Sequence, residues 1–91
     1  AGVVPLPPGF LAEARRLTRE HGALLIVDEI QTGAGRTGDW FAFQHELGPD
    51  ALPDAVVVAK GIGGGVPVGA LVTRGAASEL FTLGQHGSTF G

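Results

Sequence analysis

The stretch LLIVDEIQTGAGRTG, residues 24–38, decides how this chain is read. Four aliphatic residues run into Asp28 and Glu29, the pattern of a buried strand that delivers acids at its carboxyl end. Three chemistries share that pattern. An ATPase strand ends in acids that hold magnesium. Gly33, Gly35 and Gly38 spell the G-x-G-x-x-G of a dinucleotide turn. An acid at a strand end also suits a cofactor that carries a cationic ring nitrogen.

Working outward, Pro7 and Pro8 lead into GFLAEARRLTREHG, where Leu11, Ala14, Leu17 and His21 recur at helical spacing. Glu13, Arg15, Arg16, Arg19 and Glu20 are expected to face mostly outward. Gly22 stops the helix, because glycine enters the left-handed region without steric cost. ALLIVD then reads as a strand buried on both faces, central in a mostly parallel sheet. Residues 31–38 form a loop, and residues 40–46 a short helix capped by Thr37 or Asp39. ELGPDALPD is a surface connection, and AVVVAK is a second buried strand. Residues 29–54 are long enough for a right-handed crossover, so the two strands should be parallel. After the turn GIGGGVPVG, ALVTR returns antiparallel and GAASELFTL makes a short helix.

Composition narrows the classes. A chain of 91 residues, 44% hydrophobic, with net charge -3 and no cysteine, is one small globular unit and not a disulfide scaffold. With no initiator Met and a last residue inside the motif HGSTFG, it reads as an excerpt of a longer chain. No apolar run approaches the roughly 18 residues of a membrane span, and no basic cluster marks a nucleic-acid surface. The cytoplasm is the expected compartment.

Parallel neighbouring strands would bring Asp28 and Lys60 together at their carboxyl ends, where open α/β sheets bind ligands. Both are expected to be buried there, and a plain structural ion pair is the competing reading. Pyridoxal phosphate accounts for the pair more fully. Its aldehyde needs a lysine amine, and its pyridine nitrogen needs a carboxylate to stay protonated and draw electrons from the substrate carbon. Desolvation of Lys60 would favour its neutral, nucleophilic form. Gly61, Gly63, Gly64 and Gly65 free the lysine from bulk, or simply form a tight turn. The ATPase reading lacks a G-x-x-x-x-G-K-[ST] loop in these residues. The dinucleotide reading fails on position, since Asp28 to Thr32 separate the glycines from the strand. These glycines instead shape the loop beneath the site, with Arg36 as a salt-bridge anchor and Glu29 anchoring by hydrogen bonds. Trp40, Phe41 and Phe43 read as core or subunit-interface packing rather than a stacking platform. His21 and His45 read as structural and His86 as loop-shaping, and no histidine pair has metal-ligand spacing.

Taken together, LLIVDEIQTGAGRTGDWFAFQH, PDAVVVAKGIGGGVPVGA and HGSTFG, in this order, resemble the class III aminotransferases and their acetylornithine branch. The resemblance implies that residues 1–91 belong to the large, cofactor-binding domain of a fold-type I pyridoxal-phosphate enzyme, α/β with a mostly parallel sheet and one antiparallel strand. It implies that Asp28 faces the pyridine nitrogen, Lys60 bonds covalently to the cofactor, Ile30 packs on the ring and Gln31 hydrogen-bonds near its hydroxyl oxygen. Thr89, with Ser88 beside it, would reach the cofactor phosphate of the other subunit of a homodimer. The implied reaction moves an amino group from N-acetylornithine to 2-oxoglutarate in arginine biosynthesis. Ornithine, succinylornithine or 4-aminobutyrate are alternative donors. In a different class, the 91 residues by themselves would be a catalytically inert piece. Val57 and Val58 stand where many relatives carry a hydroxyl shortly before the lysine, and ELGPDALPD is longer than in close relatives.

Overall fold

The structure is a computed structural model and describes residues 2–80. His86, Ser88 and Thr89 lie outside the described residues, as does the end of GAASELFTL.

Helix α1 spans Phe10–Glu20. Its C-terminus closes as the glycine predicts: Gly22 takes φ +66°, and Ala23 N–H reaches Thr18 O at 2.8 Å while Gly22 N–H reaches Arg19 O. This double closure satisfies carbonyls that would otherwise have no intrahelical partner. At the other end Gly9 has no side chain to offer as a cap, and the Glu46 carboxylate takes its place. It accepts from the Gly9 N–H and, at 3.2 Å, from the Leu11 N–H, an acid at the positive end of the helix.

Three strands follow, β1 (Ile26–Asp28), β2 (Ala55–Val58) and β3 (Ala70–Thr73), in the order β1-β2-β3. β1 and β2 are parallel, with Val27 opposite Val56 and Asp28 opposite Val57. β3 returns antiparallel, with Val72 opposite Val56 and Leu71 opposite Val57. Both orientations are those expected from the lengths of the connections. Leu25, Val27, Val56 and Val58 point to one face, where Phe43 and Leu47 complete the core and Leu11, Ala14, Phe41 and Leu52 pack around it. Phe41 and Phe43 stack with ring centroids 5.5 Å apart.

Several expectations are corrected. β1 is not buried on both faces: it is the sheet's edge among the described residues, and Ile26 is 60% exposed on the face away from the core. An apolar run specifies a strand that tolerates burial; burial itself depends on what lies on either side. Arg15 does not face outward. It is 5% exposed, and its NH1 donates to Asp54 Oδ2 at 2.8 Å and to Leu52 O at 3.2 Å. The segment before ELGPDALPD is a 3-10 turn, Ala42–His45, and neither Thr37 nor Asp39 caps it. Gln44 does, accepting from Phe41 N–H at 2.9 Å, while Thr37 and Asp39 both hold the His45 ring at 3.2 Å. The short helix expected after β3 is a 3-10 turn over Gly75–Glu79. Of the three aromatics, Phe41 and Phe43 pack at the core, while Trp40 is 75% exposed and is not part of it.

Candidate functional site

The crossover geometry places the ends of β1 and β2 side by side, and the chain leaves each of them in a loop. After β1, Glu29 N–H still pairs with Val57 O at 2.8 Å, extending the ladder by one residue. The chain then turns sharply. Gly33 N–H returns to Glu29 O at 2.9 Å, and a Cβ on Gly33 would lie 2.8 Å from that same oxygen, so only glycine fits. After β2, the chain enters a 3-10 turn over Lys60–Gly63.

The two loops meet. A Cβ on Gly61 would come within 3.8 Å of the Ala34 Cβ, and between the loops opens a cleft of about 510 Å³. Ile30, Gln31, Gly33, Ala34, Gly35, Arg36, Lys60 and Gly61 line it. That volume falls in the range of roughly 300–1,000 Å³ typical of small-molecule sites. Ala34 and Lys60 are the two non-glycine residues with positive φ among the described residues, +56° and +49°. Side chains rarely adopt this region and it carries strain of order 1 kcal/mol or more, so both loops are held where local preference would not leave them.

Of the residues singled out in the sequence, Ile30, Gln31 and Lys60 share this cleft. Asp28 ends β1 next to it but is not among the lining residues. Its Oδ1 accepts from Ile30 N–H at 2.9 Å, a turn that folds the carboxylate over its own loop, and Oδ2 has no hydrogen-bond partner among the described residues. Asp28 and Lys60 do not form an ion pair, and both are exposed rather than buried, so the desolvation argument for the lysine lacks its premise here. Arg36, expected as a salt-bridge anchor, forms no ion pair among the described residues and lies at the cleft wall.

The anchoring expected of Glu29 is present. It is 2% exposed; Oε1 accepts from Thr32 Oγ1 at 2.7 Å and Oε2 from Ala42 N–H at 2.6 Å. A second acid fixes the far end of the sheet. Burial pushes the Asp54 carboxyl up, but the Leu25 N–H, the Arg15 guanidinium and the charge of Arg74 outweigh it and hold the group below its ordinary value. Sequence reading missed Asp54. The signal available was an acid immediately before a buried strand, next to a proline, in a segment otherwise assigned to the surface.

A cofactor with an aldehyde, an aromatic ring and a phosphate fits what the cleft offers. It has an accessible lysine amine, an aliphatic side chain, an amide, a second cation and backbone without side-chain bulk at Gly33, Gly35 and Gly61.

Comparison with known proteins agrees with this geometry. Residues 1–91 match the family model described as aminotransferase class-III. The chain is 62% identical over 91 residues to the acetylornithine aminotransferase of Methanopyrus kandleri, covering all of this chain and 23% of that protein. The crystal structure of N-acetylornithine aminotransferase from Stenotrophomonas maltophilia aligns with a TM-score of 0.77 at 46% identity, covering 86% of this chain and 21% of that one. An ornithine aminotransferase from Toxoplasma gondii aligns with a TM-score of 0.78 at 43% identity, covering 97% of this chain and 20% of that one. That structure is described as having partial occupancy of pyridoxal phosphate at its active site. The chain spans 22–23% of the length of the curated relatives it matches. With the family model matched along every residue and the backbone aligned with solved aminotransferases, the chain belongs to the class III aminotransferases, a family of pyridoxal-phosphate enzymes.

Proposed function

We propose that this chain forms part of the pyridoxal-phosphate site of an enzyme that moves an amino group from N-acetylornithine to 2-oxoglutarate, in arginine biosynthesis. One observation carries the reading: Lys60 opens into a cleft shared with Ile30 and Gln31 at the carboxyl ends of two adjacent parallel strands, in a chain 62% identical to an acetylornithine aminotransferase.

When bound, the cofactor supplies an electron sink for the carbon that carries the amine. Lys60 would hold it through the side-chain amine, and the same amine, when free, would carry the proton taken from that carbon to the other end of the transfer. Asp28, whose Oδ2 has no partner among the described residues, would supply the negative charge that keeps the ring nitrogen protonated. Ile30 would pack against the ring, and the Gln31 amide would hydrogen-bond near the ring hydroxyl oxygen. Thr89, with Ser88, donates to the phosphate held by the partner subunit of a homodimer, since a hydroxyl binds phosphate without adding charge. The enzyme works in the cytoplasm. Among the described residues no helix is long and apolar enough to cross a membrane.

The test is covalent. Incubation of the full-length protein with pyridoxal phosphate followed by borohydride reduction should leave the label on Lys60, located by peptide mass, and Lys60→Ala should abolish both label and transamination. Labelling elsewhere with full activity of Lys60→Ala would sink the assignment. A second donor is favoured by a specific observation, the 43% identity to a protein named ornithine aminotransferase. Comparing kcat/KM for N-acetylornithine and ornithine separates the two.

A further inference from the structure

The loop after β1 contributes Ile30, Gln31, Gly33, Ala34, Gly35 and Arg36, six of the eight residues that line the cleft. Loops of this composition, rich in glycine, have little internal packing and lose much entropy when ordered. Something must hold this one, and the hydrogen bonds identify it. Glu29 begins the loop, and its carboxylate receives Thr32 Oγ1 from the loop's first turn and, 13 residues on, Ala42 N–H from its far end. Both bonds are short, 2.7 and 2.6 Å, and Glu29 is 2% exposed, so water has little access to its side of either.

The backbone of Glu29 is fixed as firmly as its side chain. Its N–H is tied to β2 through Val57 O, and its carbonyl receives Gly33 N–H. One residue therefore connects the sheet, the first turn of the loop and the loop's return. A buried acid with no cationic partner has no packing advantage over an apolar residue of similar volume. Its usefulness lies in having two acceptor oxygens to join two separate donors.

We propose that Glu29 is a positioning residue for the cofactor: its carboxylate closes the loop on itself and thereby sets the cleft wall that holds the ring. The inference rests on the pyridoxal-phosphate reading above. It assigns to Glu29 no contact with the cofactor or substrate.

The experiment uses the full-length protein and three variants. Glu29→Ala removes both acceptors. Glu29→Gln keeps one acceptor for Ala42 N–H and offers its amide N–H₂ to the Thr32 hydroxyl, which turns to accept. Thr32→Val removes one donor alone. Amide exchange is measured in cofactor-free protein, and pyridoxal phosphate is titrated by its visible absorbance. In Glu29→Ala, exchange at Ala42 and across residues 33–38 should speed by about tenfold or more, the equivalent of a lost buried hydrogen bond, with β2 amides unchanged. The dissociation constant should rise by a similar factor. Glu29→Gln should stay within about threefold of the wild type and Thr32→Val should fall between the two. If Glu29→Ala does not fold, Glu29→Gln and Thr32→Val decide by the same measurements.

Unchanged loop exchange in Thr32→Val and Glu29→Ala overturns the proposal, as does faster exchange spread evenly through β2, which a general loss of stability would give. A wild-type protein that fails to bind pyridoxal phosphate while the variants still loosen the loop removes the functional reading and, with it, the positioning role. Normal cofactor affinity in a folded Glu29→Ala removes the positioning role alone.

Discussion

Removing the Asp54 carboxylate should be among the most damaging single changes available outside the cleft. Asp54 Oδ2 accepts from Arg15 NH1 and from Leu25 N–H, both at 2.8 Å. The Arg15 side chain is 6% exposed and its Nε already has no partner, so in Asp54→Ala the guanidinium keeps only Leu52 O at 3.2 Å. Breaking a buried pair from one side costs about 3–5 kcal/mol, and the 25% exposure of Asp54 moves this case to the lower end, about 2–3 kcal/mol. Leaving Leu25 N–H without an acceptor in the core adds about 1 kcal/mol. The expected loss is therefore about 3–4 kcal/mol for Asp54→Ala, and about 1 kcal/mol less for Asp54→Asn, whose amide oxygen still receives the Leu25 N–H. Urea unfolding at neutral pH, followed by circular dichroism, measures both. The same carboxylate fixes a pH dependence. Its folded-state value lies below the ordinary 3.8, so the stabilisation is complete above that value and drains away as pH falls from it through the lower folded value. Asp54→Asn should flatten the acid limb of the stability curve in that window. Losses under about 1 kcal/mol in both variants, or an acid limb identical to the wild type, would refute the reasoning that this pair locks α1 to the sheet.

Two further changes probe the strand end. Gly33→Ala places a methyl 2.8 Å from Glu29 O, a backbone atom that cannot swing aside, and should lower stability by about 1–3 kcal/mol in the same unfolding assay, where Gly38→Ala meets no neighbour within 4 Å and suffers only from its positive φ. In the full-length protein, on the proposed reading that Asp28 keeps the ring nitrogen protonated, Asp28→Asn should retain borohydride labelling of Lys60 but lose turnover by about 100-fold or more; normal kcat would remove Asp28 from the assignment.

What the sequence revealed and what it withheld divide along physical lines. The parallel pairing of β1 with β2, the antiparallel return of β3 and the glycine stop of α1 follow from apolar periodicity, connection length and backbone sterics, all of which are local. Arg15 was misread because a charged residue on a helix is assigned to water unless its partner is known, and that partner is 39 residues away. Glu46 is the same case, capping α1 from 35 and 37 residues away. The exposure of β1 was illegible for another reason, since burial belongs to the neighbours of a strand and not to its composition. At the site, residue types and order were readable, while the left-handed backbone of Lys60 and Ala34 was not, because neither residue favours it.

The charges sort themselves by task. Arg15, Glu29 and Asp54 are buried or nearly so, and each is engaged by two or more polar contacts that join separate elements. The exposed pairs of Arg16 with Glu13 and Glu20 contribute little, being within one helix and open to solvent. Lys60 and Arg36, by contrast, reach the cleft with no ion pair among the described residues, and Asp28 spends only one oxygen on its own turn. The buried charged groups are thus engaged within the fold, while two cations and one carboxylate oxygen at one strand end stay free of ion pairs among the described residues. An anionic ring compound with a cationic nitrogen would complement these charges, in keeping with the proposed cofactor.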